Sequence, residues 1–189
     1  AHTAQGLAGQ SAKHDSAWKH VSGQARYIDD LPMPEGILHA AVGHSQQAHA
    51  RIMSMDLGAV RRYPGVIAVV TAKDVPGHLD IGPVFPGDPV LADEIVEFIG
   101  QPLFAVAATS HEAARKAAKL ANVQYEPLDA VITVNQALDK ELFVRPSQTQ
   151  LRGNPDHALS QASHRLIGEQ VVGGQEHFYL EGQACLAEP

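Results

Sequence analysis

Two short apolar runs constrain the fold of this 189-residue chain more than any other feature. The runs are GVIAVVT at residues 65–71 and LFAVAA at residues 103–108. Both have the composition of buried strands, and both are far shorter than the roughly 18 residues that a membrane-spanning helix needs. The runs therefore predict two core strands and no membrane segment.

The stretches around these runs predict helices and one long loop. A short helix capped by Asp56 is expected to end at Pro64-Gly65, and Asn154 with Pro155 indicates another helix start. The letters GHLDIGPVFPGDP at residues 77–89 hold glycines and prolines throughout, which favours an irregular surface loop.

The order of elements after residue 102 predicts a parallel crossover. Thr109 followed by Glu112 has the capping-box spacing of a helix start, and residues 123–125 indicate a further strand. A strand, a helix and a strand joined by short connections favour a right-handed parallel unit. The letters HRLIGEQVV at residues 164–172 predict one more strand.

Charge and cysteine content exclude several functional classes. The chain has 14 basic and 21 acidic residues and a net charge of -7, so it lacks the positive field that gathers nucleic acid. One cysteine, Cys185, excludes an intramolecular disulfide and a four-cysteine cluster within the chain. With no apolar stretch near residue 1, we expect a cytoplasmic protein or an excised fragment.

Polar, aromatic and acidic side chains are most concentrated in the segment GGQEHFYLEGQ at residues 173–183. Gly173 and Gly174 leave the backbone unshielded, and the amide of Gln175 both donates and accepts hydrogen bonds. The pattern alone favours a β-bulge or tight bend over a ligand site. Cys185 with His177 has no identifiable orienting partner, so a buried, inert cysteine is the expected case.

Six segments in order resemble the molybdenum hydroxylases, the xanthine dehydrogenase and aldehyde oxidase family. The resemblance covers almost the whole chain, and the last segment is the most specific. The segments are VSGQARYIDDLP (21–32), AHARI (48–52), PGVIAVVTAKDVPG (64–77), FIGQPLFAVAA (98–108), SHEAARKAAKLANVQYEPL (110–128) and GGQEHFYLEGQ (173–183).

The resemblance implies an α+β fold in which an α/β-hammerhead domain spans residues 14–138. A flexible tail (1–13) would precede it, and a connector (139–150) would lead to the first helix and strands of a molybdopterin-binding domain, truncated, at 151–189. It also implies that Gln175, beside Gly173 and Gly174, hydrogen-bonds an oxygen ligand of the molybdenum centre. No catalytic residue and no metal ligand is assigned in this stretch.

The resemblance further implies an N-terminal fragment of the molybdenum-binding subunit of a purine-oxidising member, one that hydroxylates hypoxanthine and xanthine towards urate. The molybdenum cofactor would belong to the complete enzyme, with iron-sulfur clusters and FAD on a separate subunit or region. Its partners would be the remainder of the subunit, the iron-sulfur/FAD subunit and the purine, and the isolated fragment would be inactive.

Two alternatives stay open. One is a fragment of an aldehyde-oxidising relative, because the residues that discriminate the substrates would lie beyond Pro189. The other is a free-standing binding or assembly module whose docking edge is residues 165–186.

Overall fold

The computed structural model describes residues 9–188, and the chain divides into two compact units. One unit is Glu35–Gln161, and the other combines Ala1–Pro34 with Ala162–Pro189. Much of the predicted tail, residues 1–13, lies outside the described residues. The predicted boundaries at 138, 150 and 151 stay predictions.

The unit Glu35–Gln161 contains two three-stranded sheets. Their spatial orders are β1-β5-β3 and β4-β2-β6, and every pairing is antiparallel. The strands are β1 (His39–His44), β2 (Ala50–Asp56), β3 (Val66–Thr71), β4 (Ile95–Val96), β5 (Pro102–Ala108) and β6 (Asn122–Pro127).

The two apolar runs form β3 and β5, as predicted. β5 is the central strand of its sheet, so both of its edges are paired and its side chains supply much of the core. Leu103, Phe104, Val106 and Ala108 are all buried. A central position with burial on both faces explains why this run is continuously apolar rather than alternating.

The helices are short. They are α1 (Ala17–Ser22), α2 (Gly58–Arg61), α3 (His111–Ala118), α4 (Val134–Asp139) and α5 (Pro155–Gln161), and 3-10 turns cover Ile28–Asp30 and Ala72–Asp74. No helix in the described part of the chain is both long and apolar enough to span a bilayer.

Helix α3 lies against the sheet of β1, β5 and β3. Ala114 and Ala117 are the buried residues of the helix itself. The predicted cap was wrong by one residue: the side chain of Ser110, not Thr109, accepts the hydrogen bond from the Ala113 N–H at 3.1 Å. The prediction of a helix here is confirmed.

The predicted parallel crossover is wrong. β5 and β6 flank α3 in the chain but lie in different sheets, and β6 pairs antiparallel with β2. The eight residues of α3 span about 12 Å, whereas the seven residues of β5 span about 23 Å. The helix therefore carries the chain only halfway back along β5, too little for a parallel neighbour.

The starts of helices α2 and α5 were also predicted, the first with the wrong cap and the second correctly. The predicted short helix is present as α2, but its cap is Leu57 rather than Asp56, which ends β2 and accepts a hydrogen bond from the Gly58 N–H at 2.8 Å. Helix α5 begins as predicted, because the side chain of Asn154 accepts from the His157 N–H at 3.0 Å.

The predicted irregular loop at residues 77–89 is confirmed, and Asp80 organises it. The loop contains neither helix nor strand apart from an isolated bridge between Asp80 and Pro89. The carboxylate of Asp80 accepts hydrogen bonds from the N–H groups of Gly82 at 2.9 Å, Gly87 at 2.8 Å and Asp88 at 3.3 Å. One side chain therefore satisfies three backbone donors of the loop.

Hydrogen bonds from the N–H groups of Gly82 and Gly87 hold the pKa of Asp80 below its ordinary value. Their contribution to loop order is present above the ordinary pKa of about 3.9 and is lost as the pH falls through the lowered one. We expect the amide shifts of Gly82 and Gly87 in an NMR titration to move with a midpoint below about 3.9. Asp80→Asn should remove this titration. A midpoint at or above the ordinary value would contradict the assignment.

In the second unit, residues 162–188 form neither helix nor strand. The predicted strand at 164–172 is therefore wrong, whereas the assignment of residues 151–189 to the start of a molybdopterin-binding domain stays a prediction. Leu166 and Ile167 are 99% and 92% exposed. A strand forms only when a neighbour pairs with its backbone, and the residue pattern alone supplies no neighbour. Cys185 is exposed, not buried as expected.

Candidate functional site

The segment 173–183, which sequence analysis singles out, is open to its surroundings. Gly173 and Gly174 are exposed, and a Cβ built on either would meet no atom within 4 Å. Neither glycine has a positive φ, so neither is required by a left-handed backbone. What the pair provides is backbone that a planar ligand can approach without a side chain in the way.

Gln175 follows these glycines and is exposed. The β-bulge interpretation of this position is wrong, because the segment belongs to no strand. An exposed amide keeps its donor and its acceptor available for an external partner. The position of Gln175 thus leaves the cofactor contact implied by the family resemblance possible, and that contact stays a prediction.

A hydrogen bond joins the motif at residues 21–32 to the motif at residues 173–183 within the second unit. The carboxylate of Glu181 accepts a hydrogen bond from the backbone N–H of Ile28 at 2.6 Å. Ile28 begins the 3-10 turn Ile28–Asp30. The side chain of Asp30 accepts a hydrogen bond at 3.0 Å from the N–H of Tyr27, the residue before the turn. Glu181 therefore binds the turn through one oxygen of its carboxylate.

The aromatic residues between Gln175 and Glu181 are arranged locally. The rings of His177 and Tyr179 are stacked, with centroids 5.3 Å apart and planes at 5°. Phe178 between them adopts φ 56°, in the left-handed region, and its side chain is 92% exposed. A bulky residue in this conformation is uncommon, and the reversal it creates lets the rings on either side face each other.

One buried polar site was not found by sequence reasoning. Gln101 is 2% exposed and its side chain accepts a hydrogen bond from the Glu97 N–H at 2.7 Å. Its backbone oxygen accepts from the Ser45 N–H at 2.8 Å, and Ser45 is equally buried. Gly100, at φ 93°, makes the turn that permits this closure. A glutamine in the apolar segment FIGQPLF was the available signal. Its side chain holds the residue after β4, while its backbone oxygen joins β5 to the end of β1.

Metal-ligating residues do not converge in the part of the chain that the structure describes. Residues 9–188 contain no group of three or more His, Cys, Asp or Glu side chains placed to hold a metal ion. His39, His44 and His49 follow no ligand spacing, and His49 instead contacts the backbone oxygen of Asp129 at 2.7 Å through Nδ1.

Comparison with known proteins identifies the family. Residues 22–129 match the aldehyde oxidase and xanthine dehydrogenase a/b hammerhead domain. The chain belongs to this family of oxidoreductases, and the α+β hammerhead fold implied by the resemblance is confirmed.

The relatives include both substrate branches. The chain is 37% identical to xanthine dehydrogenase/oxidase of Gallus gallus and 39% identical to aldehyde oxidase 4 of Cavia porcellus, over 96% of its own length in each case. It spans only 13% of the length of either relative. The crystal structure of the aldehyde oxidoreductase from Desulfovibrio desulfuricans is similar over 69% of this chain and 16% of that one, with 32% identity and a TM-score of 0.61.

Proposed function

We propose that this chain is the N-terminal part of the molybdenum-binding subunit of a xanthine dehydrogenase. The complete enzyme hydroxylates hypoxanthine and xanthine towards urate, and the iron-sulfur and FAD groups belong to a separate subunit or region. The hammerhead unit has a structural role in this proposal, and residues 173–175 supply a contact to the cofactor. A cytoplasmic location remains the expectation from the single cysteine.

The observation that carries the proposal is the exposed GGQ segment in a chain that matches this family over nearly its whole length. Gly173 and Gly174 leave room for a planar group, and the amide of Gln175 fits a hydrogen bond to an oxygen of the cofactor. When bound, the cofactor supplies the redox centre for hydroxylation with water as the oxygen source. Gln175 orients that group, and no residue of this stretch serves as the base.

Glu176 and Glu181 support this restriction. Glu181 is engaged with the Ile28 N–H, and the carboxylate of Glu176 accepts from the N–H of the next residue, His177, at 3.0 Å. Each carboxylate holds backbone through one oxygen. Neither is given the role of base by the family resemblance, and we place the base in another part of the complete enzyme.

Gln175→Ala in the complete enzyme tests the cofactor contact. We expect turnover to fall by about 10- to 100-fold, the usual effect of losing a residue that orients a metal centre's ligands. Molybdenum content and the circular dichroism spectrum should stay near those of the parent, because Gln175 is exposed and supports no core. Gln170→Ala is the matched control, an exposed glutamine outside the motif, and should leave the kinetics unchanged. Equal kinetics for both variants would remove Gln175 from the site.

The chain by itself provides a second test. The purified 189-residue polypeptide should contain no stoichiometric molybdenum by mass spectrometry and should not oxidise xanthine with an electron acceptor. Robust turnover or stoichiometric cofactor would defeat the proposal that further domains are required.

An aldehyde-oxidising parent is the closest alternative, and the identities of 37% and 39% to the two kinds of relative do not separate the branches. The ratio of kcat/KM for xanthine to that for an aromatic aldehyde decides between them in the complete enzyme. The resemblance of the GGQEHFYLEGQ segment, together with HDSA at residues 14–17, to the purine-oxidising members is what favours the purine.

A free-standing assembly module is favoured by one observation. Apolar side chains along the closing segment are almost fully exposed, among them Leu166, Ile167, Val171 and Leu180. Exposed apolar residues in such number favour contact with another polypeptide surface. A reading frame that stops directly after codon 189 would support this module, whereas a frame that continues into a glycine-rich segment supports the fragment.

A further inference from the structure

The open edge of β1 borders a groove that the function above does not use. β1 pairs with β5 on one side, and no strand among the described residues lies on its other side. On an edge strand, alternate residues direct their N–H and C=O groups away from the sheet, where they are available to a new strand.

Helix α3 forms the other wall of this groove. His111, Arg115, Ala118 and Lys119 line it at helical spacing, opposite the continuous run of residues 40–46. The groove has a volume of about 520 Å³. Ala40, Ala41 and Gly43 keep the β1 side low, so an incoming backbone can approach closely.

All the ionisable residues of the groove are basic. They are His44, His111, Arg115 and Lys119, and no carboxylate lines it, although the chain as a whole carries a net charge of -7. Nζ of Lys116, the residue after Arg115, forms an ion pair with Oε1 of Glu112 at 2.6 Å. Arg115 and Lys119 take part in none of the ion pairs formed within residues 9–188. The groove is therefore a local cationic site on an acidic protein.

We propose that this groove binds an extended acidic segment of a partner polypeptide, which adds to β1 as a further strand. Main-chain hydrogen bonds to β1 supply affinity in this mode, and side chains on alternate positions supply specificity. The six residues of β1 span about 20 Å, enough for an added segment of similar length. Carboxylates on the helix side of that segment face Arg115 and Lys119.

Nucleic acid is a poorer occupant. The groove is lined by one arginine and one lysine, Arg115 and Lys119, and none of its lining residues is Phe, Tyr or Trp. Single-stranded nucleic acid needs a longer cationic track and aromatic rings for its bases. A strand edge with flanking cations fits an acidic peptide instead.

Fluorescence anisotropy with a labelled heptapeptide of alternating Glu and Val, EVEVEVE, tests the proposal on the whole chain. We expect binding that weakens as salt is added, since the attraction is partly electrostatic, and no comparable binding of the KVKVKVK peptide. Arg115→Glu with Lys119→Glu should weaken binding of EVEVEVE by at least about tenfold. Both residues are exposed, so circular dichroism should show the variant folded.

Lys73→Glu with Arg152→Glu is the matched control. It reverses two exposed cations outside the groove and changes the net charge equally, so the affinity should stay within about twofold. Equal losses in the two double variants would place the attraction in the overall charge and overturn the proposal. Undetectable binding of EVEVEVE at low salt would overturn it as well.

A peptide with N-methyl groups on two adjacent central residues tests strand addition itself. Adjacent residues of a strand donate to opposite edges, so this change removes a donor from either edge that could meet β1. We expect affinity to fall by at least about tenfold. Undiminished affinity would show that the peptide is held by charge alone and would overturn the added strand.

Discussion

Phe104→Ala is expected to lower the free energy of unfolding of the hammerhead unit by about 3 to 5 kcal/mol, the usual cost of removing a buried aromatic ring. Phe104 is 1% exposed and lies in the core with Leu103, Val60, Val96 and Val106. The strands on both sides of β5 limit how far the core can collapse into the cavity. The loss therefore combines the transfer free energy of the ring with the cost of the void.

The measurement is urea denaturation followed by far-ultraviolet circular dichroism. The single tryptophan, Trp18, belongs to the other unit, so its fluorescence does not report on this core. Phe143→Ala is the matched control, because Phe143 belongs to the same unit and is 60% exposed. The control should change the unfolding free energy by no more than about 0.5 kcal/mol. Equal losses for the two variants would place Phe104 outside the core.

Local patterns along the chain predicted β3, β5 and β6, but they predicted neither β1, β2 and β4 nor how the strands pair. The letters LFAVAA and GVIAVVT identify β5 and β3 because buried strands need continuous apolar residues. Pairing depends on residues far apart in sequence: β5 joins β1, which begins more than sixty positions earlier. The short length of α3 compared with β5 was the available clue against a parallel crossover. That comparison needs the exact bounds of the helix, and these depend on the tertiary structure.

The candidate site was predicted as a segment rather than as an arrangement. The letters GGQ mark an unshielded backbone beside an amide, and the structure leaves this part of the chain exposed. The hydrogen bond from the Ile28 N–H to Glu181 joins residues 153 positions apart, and neither motif contains a pattern that predicts it. The same limit applies to residues 164–172, where a strand-like pattern has no partner in the described chain and no strand forms.

The cationic groove also depends on tertiary structure. His44 and Lys119 are far apart in the sequence, and neither is unusual in its own neighbourhood. They share a groove because α3 packs beside β1. Net charge argues against nucleic acid binding by the whole surface, but a sum over the chain does not reveal a site of opposite sign.

Gly43→Ala is expected to lower the free energy of unfolding of the same unit by about 2 to 3 kcal/mol. Gly43 is buried in β1, and a Cβ at this position would lie 2.1 Å from Cζ and 2.2 Å from Cε1 of Phe104. Its φ is not positive, so the penalty arises from the lack of space and not from backbone strain. The ring is fully buried and cannot move aside without disturbing β5.

A double-mutant cycle with Phe104→Leu isolates this collision. Leucine lacks the Cε1 and Cζ atoms that make the two shortest contacts, and its Cδ1 can rotate away, unlike Cδ1 of the planar ring at 2.8 Å. Gly43→Ala should therefore cost less than about 1 kcal/mol in that background. Urea denaturation of the four proteins gives the coupling energy directly. The same penalty in both backgrounds would mean that alanine acts on β1 by another route. A smaller penalty beside leucine would show that residue 43 is glycine because the ring of Phe104 occupies the space of a side chain.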